Sequence, residues 1–114
     1  MSLDLDTVRG TIEEQRDRLR KEIADQGIDP DSVDFVTELE HGFADGAHTA
    51  AERGQAITIV RELKGSLADA ERALRKLDDG TYGTCERCGN PIGEDRLEAI
   101  PWTRLCITCK QAAR

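Results

Sequence analysis

The sequence predicts a mainly α-helical protein, in which an antiparallel helical (coiled-coil) hairpin is followed by a small C-terminal module built on four cysteines. Apolar residues recur three or four positions apart over two long stretches, which is the spacing of helices that bury a single stripe. All four cysteines of the 114-residue chain lie in its last 30 residues. Aromatic residues make up only 4% of the chain and charged residues 34%, so long helices that share a narrow seam are favoured over a broad core.

The first long helix is predicted over residues 4 to 27. Its apolar stripe consists of Leu5, Val8, Ile12, Leu19 and Ile23. Asp4 or Asp6 can cap its start, and Gly27 is suited to end it. Pro30 disfavours helical geometry at the residue before it, so a break is predicted after Gly27.

Residues 33 to 46 are ambiguous. Four apolar residues have the spacing of a short helix: Val33, Val36, Leu39 and Phe43. Gly42 and Gly46 instead favour a turn or an interruption. Both interpretations stay open.

The second long helix is predicted from about residue 47 to residue 77. Its seam residues alternate four and three positions apart, as in a heptad repeat: Ala56, Val60, Leu63, Leu67, Ala70, Leu74 and Leu77. Gly54 and Gly65 each weaken the helix by roughly 1 kcal/mol relative to alanine, and Gly80 ends it. Two helices with one apolar stripe each pack most simply as an antiparallel hairpin.

The cysteines form two pairs with the spacing C-x2-C-x17-C-x2-C: Cys85, Cys88, Cys106 and Cys109. Each C-x2-C knuckle supplies two thiolates from one tight turn, and two knuckles complete a tetrahedral zinc site. The sequence therefore predicts a four-cysteine zinc finger with one structural Zn2+. Because thiolates fill all four positions, no position is left for a catalytic water, and no enzymatic site is expected.

Iron binding, disulfide formation and redox chemistry are the other possible uses of the four cysteines. Iron held by four thiolates has the same ligands and a similar geometry, so ligand type does not separate it from zinc. A disulfide within C-x2-C would be strained, and a redox-active C-x2-C usually occurs once, at the start of a helix after a strand.

The domain boundary is predicted near residue 80. Residues 1–80 form the hairpin, with an acidic tip region at about 28–47, and residues 81–114 form the zinc finger and a C-terminal tail. Five residues are predicted to pack the finger core against the helix near Leu74 and Leu77: Leu97, Ile100, Trp102, Leu105 and Ile107. Gly89 is expected to allow the turn after the first knuckle, and Arg96 to bind a carbonyl or an acidic side chain.

Charge argues against a DNA-binding finger. The net charge is −7, and residues 1–84 carry 19 acidic against 11 basic residues, whereas residues 85–114 carry four acidic and five basic ones. Duplex DNA binding requires a basic face, so no direct duplex DNA binding is expected. The charge also discourages self-association, so a monomer is expected. No apolar run suggests export or membrane insertion, and a cytoplasmic protein is expected.

The acidic residues concentrate in one stretch. Residues 22 to 52 contain nine Asp or Glu and no Lys or Arg. This stretch is either a solvated, self-repelling turn or an acidic tip offered to a basic or metal-containing site. Both interpretations stay open on residues alone.

The finger sequence resembles one family closely. It reads Y-G-T-C-E-R-C-G-N-P-I-G over residues 82–93, R-L-E-A-I-P over 96–101 and L-C-I-T-C-K over 105–110. This is similar to the zinc finger of the DksA/TraR (DnaK-suppressor) family. The resemblance implies a coiled coil that enters the secondary channel of bacterial RNA polymerase, with acidic tip residues near the catalytic Mg2+. It also implies altered transcription initiation, often together with ppGpp, without binding to promoter DNA.

The resemblance also implies a tip motif, which reads roughly D-x-(A/V)-D-x-A. Counting back from Cys85 without gaps places it on residues 42–47, where Asp45 matches the second aspartate and Gly42 replaces the first. A second candidate, residues 31–34, lies 11 residues further from the finger, so Asp45 is preferred as the partner-binding residue. The alternatives to a polymerase-binding transcription regulator are a zinc- or redox-sensing protein and a generic protein-interaction adaptor.

Overall fold

The structure is a computed structural model, and it describes residues 3–42 and 49–112. Five helices lie in these ranges: α1 (Leu5–Asp25), α2 (Phe35–Gly42), α3 (Ala50–Asp79), α4 (Glu94–Ala99) and α5 (Ile107–Ala112). Over the same ranges the extended structure is limited to an isolated antiparallel bridge between Thr84 and Pro91. The predicted mainly α fold is confirmed.

The chain divides into two compact units. One unit contains residues 1–16 and 68–114, and the other contains residues 17–67. In the first unit the beginning of α1 packs against the second half of α3. In the second unit the rest of α1 packs against the first half of α3 and against α2. This pairing is that of an antiparallel hairpin.

The apolar seam of the first unit is small. Its buried members are Val8, Ile12, Ala70 and Ala73. Leu74, Leu77, Tyr82 and Trp102 pack against them and stay partly accessible. Two small alanines lie at its centre. Trp102 packs against the same cluster as Leu74 and Leu77, as the sequence predicted.

The second unit has its own apolar cluster. Its buried members are Leu19, Ile23, Ile28, Leu39, Val60 and Leu67. Phe35, Ala56, Ile57 and Leu63 pack against them. Leu39 and Phe35 come from α2, so this short helix is attached to the hairpin through its apolar side.

Helix α1 begins and ends with defined caps. The Asp4 carboxylate accepts hydrogen bonds from the Asp6 N–H (3.1 Å) and from the Thr7 hydroxyl (2.8 Å), so Asp4 is the capping residue. At the other end Gly27 has φ +81°, and the Ile28 N–H donates to the Ile23 carbonyl at 3.3 Å. This is a Schellman motif, in which the side chains of Ile23 and Ile28 meet in the same cluster.

Leu5 does not belong to the buried stripe of α1, contrary to the prediction. Its side chain is 52% exposed, whereas Leu3 packs against the cluster that contains Val8. Leu3 precedes the capping residue Asp4, and Val8 lies one turn inside the helix. Such a pair forms a hydrophobic staple and takes the place that the stripe assigned to Leu5.

The ambiguous stretch contains a short helix. Asp34 caps α2 by accepting hydrogen bonds from the Thr37 N–H (3.2 Å) and the Thr37 hydroxyl (2.7 Å). Val33 precedes the cap and is 97% exposed, so its predicted place in the apolar stripe is wrong. Phe43 and Gly46, which were part of the prediction, lie outside the described residues.

Helix α3 begins later and ends slightly later than predicted. The Thr49 hydroxyl accepts a hydrogen bond from the Glu52 N–H at 3.1 Å and caps the start. Gly80 has φ +78°, and the Thr81 N–H donates to the Lys76 carbonyl at 2.9 Å, which ends the helix as expected. Within the described ranges, none of the helices combines the length and the apolar character needed to cross a membrane.

We predict that Ile12→Ala destabilises the zinc-loaded protein by about 2–5 kcal/mol, because Ile12 is fully buried in the small seam and its truncation leaves a cavity. The measurement is urea unfolding followed by circular dichroism. Leu5→Ala, in the same helix, is the matched control and is expected to change stability by less than about 0.5 kcal/mol. Equal losses for the two variants would contradict this description of the seam.

Candidate metal centre

The structure brings the four predicted cysteines together. The Sγ atoms of Cys85, Cys88, Cys106 and Cys109 all lie within 4.8 Å of one another. All four are free thiols; Cys85 and Cys109 are buried, and Cys88 is exposed. The Cys88 and Cys106 Sγ atoms are 3.8 Å apart.

The first knuckle is shaped by hydrogen bonds between backbone groups. The Gly89 N–H donates to the Cys85 carbonyl at 3.0 Å, and the Cys85 N–H donates to the Asn90 carbonyl at 2.9 Å. Gly89 has φ +77°, which a side chain would disfavour, so its predicted role in the turn is confirmed. The bridge between Thr84 and Pro91 closes the knuckle.

The second knuckle is held by Arg96 and by helix α5. The Arg96 Nε–H donates to the Leu105 carbonyl at 2.9 Å, which is one of the two kinds of partner predicted for it. The Thr103 hydroxyl donates to the same carbonyl at 3.2 Å. Cys106 immediately precedes α5, and the Lys110 N–H donates to the Cys106 carbonyl at 2.9 Å. Cys109 then lies on the first turn of α5, facing the other thiols.

The surroundings of the thiols favour thiolates at a shared cation. Backbone N–H groups of Cys106 and Cys88 lower the pKa of Cys85 to about 6. Burial and the neighbouring thiols raise the pKa of Cys109 to about 12. The Cys109 thiol is thus expected to ionise at neutral pH only where a cation compensates the charge.

Four sulfur donors at these distances fit tetrahedral zinc. With Zn–S bonds of about 2.3 Å, two sulfurs of a tetrahedron lie about 3.8 Å apart, which matches the separation of Cys88 and Cys106. The N–H groups directed at Cys85 supply the outer hydrogen bonds that thiolate ligands usually receive.

The core of the finger is smaller than predicted. Leu97 is buried and Leu105 packs against it together with Tyr82, whose hydroxyl donates to the Pro101 carbonyl at 2.8 Å. Burial raises the pKa of Tyr82 to about 12. Ile100 is 37% exposed and Ile107 53% exposed, so their predicted places in the core are wrong. Ile100 directly follows the last residue of α4, and Ile107 is the first residue of α5, so both lie at helix ends, where few neighbouring side chains cover them.

Glu86, between the first two cysteines, links the finger to α3. Its carboxylate lies 3.2 Å from Lys76 Nζ and 3.7 Å from Arg72 Nε, both on α3. Its N–H donates to the Arg104 carbonyl at 3.0 Å, and the Arg104 guanidinium lies 3.2 Å from the Asp69 carboxylate. Glu86 therefore joins both knuckles to the last turns of α3. Glu86 was not among the residues predicted to be functional, although basic residues four apart on α3 are a signal that an acidic partner faces them.

Of the two acidic tip candidates, the structure describes only residues 31–34. Asp45 lies outside the described residues. In the less favoured candidate, residues 31–34, both aspartates have structural partners. Asp31 accepts two hydrogen bonds from Arg20, at 2.9 and 3.1 Å, which lower the pKa of Asp31, and Asp34 caps α2.

We predict that Glu86→Gln lowers the stability of the zinc-loaded protein by about 1 kcal/mol at low salt, because partly exposed ion pairs contribute on this scale. The loss should shrink in 1 M salt, since salt screens such pairs. Urea unfolding at both salt concentrations measures it. Glu98→Gln, an exposed acid on α4, is the control and should leave stability unchanged. Wild-type stability of Glu86→Gln at low salt would rule out the proposed link.

Comparison with known proteins agrees with this geometry. Residues 80–114 match the prokaryotic dksA/traR C4-type zinc finger. The RNA polymerase-binding transcription factor DksA of Escherichia coli K12 is 31% identical over 110 residues, which is 96% of this chain and 66% of that protein. General stress protein 16O of Bacillus subtilis is 33% identical over 94 residues, covering 78% of this chain and 58% of that protein.

The fold is also found in a solved structure. Transcription factor DksA2 from Pseudomonas aeruginosa superimposes with a TM-score of 0.66 and 26% identity, over 95% of this chain and 81% of that chain. The chain spans 43% to 66% of the length of the curated relatives that it matches. The finger sequence, the clustered thiols and the shared helical fold lead to one conclusion: the chain belongs to the DksA/TraR family and has the family's C4 zinc finger, with one structural zinc ion.

Proposed function

We propose that this protein is a transcription regulator that binds bacterial RNA polymerase. The observation that carries the proposal is the alignment of 96% of this chain with a relative named as an RNA polymerase-binding transcription factor. The mainly helical fold and the thiol cluster support it, because they are the features that the chain has in common with that family.

The metal has a structural role in this proposal. Cys85, Cys88, Cys106 and Cys109 are its four ligands, and they leave no position for a reacting water. Zinc bound there would draw both knuckles together and contribute folding energy to the finger. The finger is in turn joined to α3 through Glu86, so the metal would also stabilise the end of the hairpin in that unit.

The hairpin tip contacts the polymerase in this proposal. It enters the secondary channel, and Asp45 acts near the active centre. The stretch from residue 22 to residue 52 supports this role, since it has nine acids and no Lys or Arg. Its negative charge suits a channel that contains a metal ion and basic side chains. Gly42 in place of the first motif aspartate leaves Asp45 as the acid that matches the motif.

The remaining parts of the proposal follow the same resemblance. The protein acts in the cytoplasm as a monomer, it does not bind duplex DNA directly, and ppGpp acts together with it. The nearly neutral finger, with four acidic and five basic residues, supports the absence of DNA binding.

We predict that Cys88→Ser loses the metal. Elemental analysis of the purified wild type should find about one zinc per chain and no iron, and the variant should hold less than about one tenth of that amount. Thr108→Ser, between the two cysteines of the second knuckle, is the control and should keep full zinc. Full zinc retention by Cys88→Ser would show that Cys88 is not a ligand.

We predict that Asp45→Ala keeps its affinity for core RNA polymerase within about threefold but reduces the effect on transcription initiation by about tenfold or more, because its carboxylate acts at the active centre. Pull-down and in vitro initiation, with and without ppGpp, measure the two quantities. Asp25→Ala removes the same charge from the acidic stretch and is expected to behave as wild type.

An unchanged effect of Asp45→Ala on initiation would contradict the role of the tip. Failure of the zinc-loaded wild type to bind the polymerase would contradict the whole proposal and favour the adaptor or sensor interpretation.

A further inference from the structure

The geometry points to Lys64 as a positioning residue, whose ammonium group holds the connection between α1 and α2 and so determines where α2 presents the segment that carries Asp45. This inference rests on the proposed function and adds to it a residue that does not touch the polymerase. All the contacts that carry it lie within the unit of residues 17–67.

Lys64 extends from α3 to the connection. Its Nζ donates to the Pro30 carbonyl at 3.3 Å and to the Ser32 carbonyl, 34 and 32 positions away in the chain. It also lies 5.9 Å from the centre of the Phe35 ring, at the start of α2. One ammonium thus joins α3 to two backbone carbonyls and to the first aromatic side chain of α2. Hydrogen bonds with a charged donor are among the strong ones in proteins.

The same connection is fixed from α1 and from α2. The Arg20 guanidinium donates two hydrogen bonds to the Asp31 carboxylate, at 2.9 and 3.1 Å. The Asp29 N–H donates to the Glu38 carboxylate at 3.2 Å. Residues 29–32 are therefore bound by side chains of three helices, and Lys64 is the member that binds carbonyl groups of this segment and reaches α2 as well.

Helix α2 depends on such contacts. Eight of its residues, Phe35–Gly42, lie in the described part of the chain, and a helical segment of this length is marginal on its own. Among its described residues, Leu39 is buried in the cluster and Phe35 is partly buried against it. Polar contacts at the N-terminal end of α2 add to this apolar packing and fix that end of the helix.

The direction of α2 matters for the tip. Helix α2 is described as far as Gly42, and Asp45 follows three residues later in the sequence. Three residues span at most about 11 Å, so the position of Gly42 limits where the Asp45 carboxylate can reach. A looser α2 would spread that carboxylate over more positions and lower its effect at a fixed active centre.

The test compares three zinc-loaded variants of the full chain. Lys64→Met keeps the length of the aliphatic chain and removes the charge and the hydrogen-bond donors. Lys64→Arg keeps the charge and the donors. Lys21→Met is the matched control. Lys21 forms a surface ion pair with Asp25 of the same helix, 3.1 Å away, and this pair involves neither the connection nor α2.

The first measurement is millisecond hydrogen exchange of the free protein. Amides of residues 35–42 should exchange about tenfold faster in Lys64→Met than in wild type, since loss of the Lys64 contacts opens α2 locally. Exchange of the amides in the zinc finger should stay unchanged. Lys64→Arg should restore most of the protection, and Lys21→Met should resemble wild type. Unchanged exchange over residues 35–42 in Lys64→Met would overturn the inference.

The second measurement separates positioning from binding. With core RNA polymerase, Lys64→Met should keep its affinity within about threefold and lose about fivefold or more of its effect on initiation, with recovery in Lys64→Arg. A wild-type effect of Lys64→Met, despite faster exchange of α2, would overturn the inference while the proposed function stands. Absence of any effect of the wild type would overturn the proposed function, and the role of Lys64 at the tip with it.

Discussion

The finger depends on one constraint, which is that four sulfur atoms must share a small volume. Two of them are buried, and the pKa of Cys109 is raised to about 12, so the cluster is costly without a cation and stable with the zinc of this family. The apolar core around it offers few further contacts: Ile92 and Leu97 are its other buried members. Helices α4 and α5 have six residues each and cannot form alone, so they depend on the knuckles they flank.

The hairpin, like the finger, has little apolar packing. Its seams are narrow, and the centre of one consists of Ala70 and Ala73. Polar contacts therefore carry much of the specificity: Asp4, Asp34 and Thr49 cap the helices. In one unit Glu86 joins both knuckles to α3, and in the other Lys64 joins α3 to the connection before α2. The contacts of Glu86 and Lys64 each join segments that are distant in the chain. They add to the packing of apolar cores that contain few aromatic residues.

The fold and the thiol cluster could largely be predicted from the sequence, since both depend on local periodicity or spacing. The predictions of burial that proved wrong have physical reasons. Leu5 and Val33 have the right spacing, but each lies at or before a helix start, where a capping residue and the turn decide which side chain is buried. Ile100 and Ile107 lie at helix ends, where few neighbouring side chains cover them. The Lys64 clamp could not be predicted, because its acceptors are backbone carbonyls more than 30 positions away and carry no side-chain signal.

The central claim is that the acidic segment of the hairpin reaches the active centre of RNA polymerase. The most direct measurement replaces Phe43 by a photo-crosslinking phenylalanine analogue, two positions before Asp45, and maps the crosslink on core polymerase with zinc-loaded protein. The account predicts crosslinks to residues that line the secondary channel, competed by unlabelled wild type. Crosslinks confined to the outer surface of the enzyme, or none from a protein that binds, would contradict it.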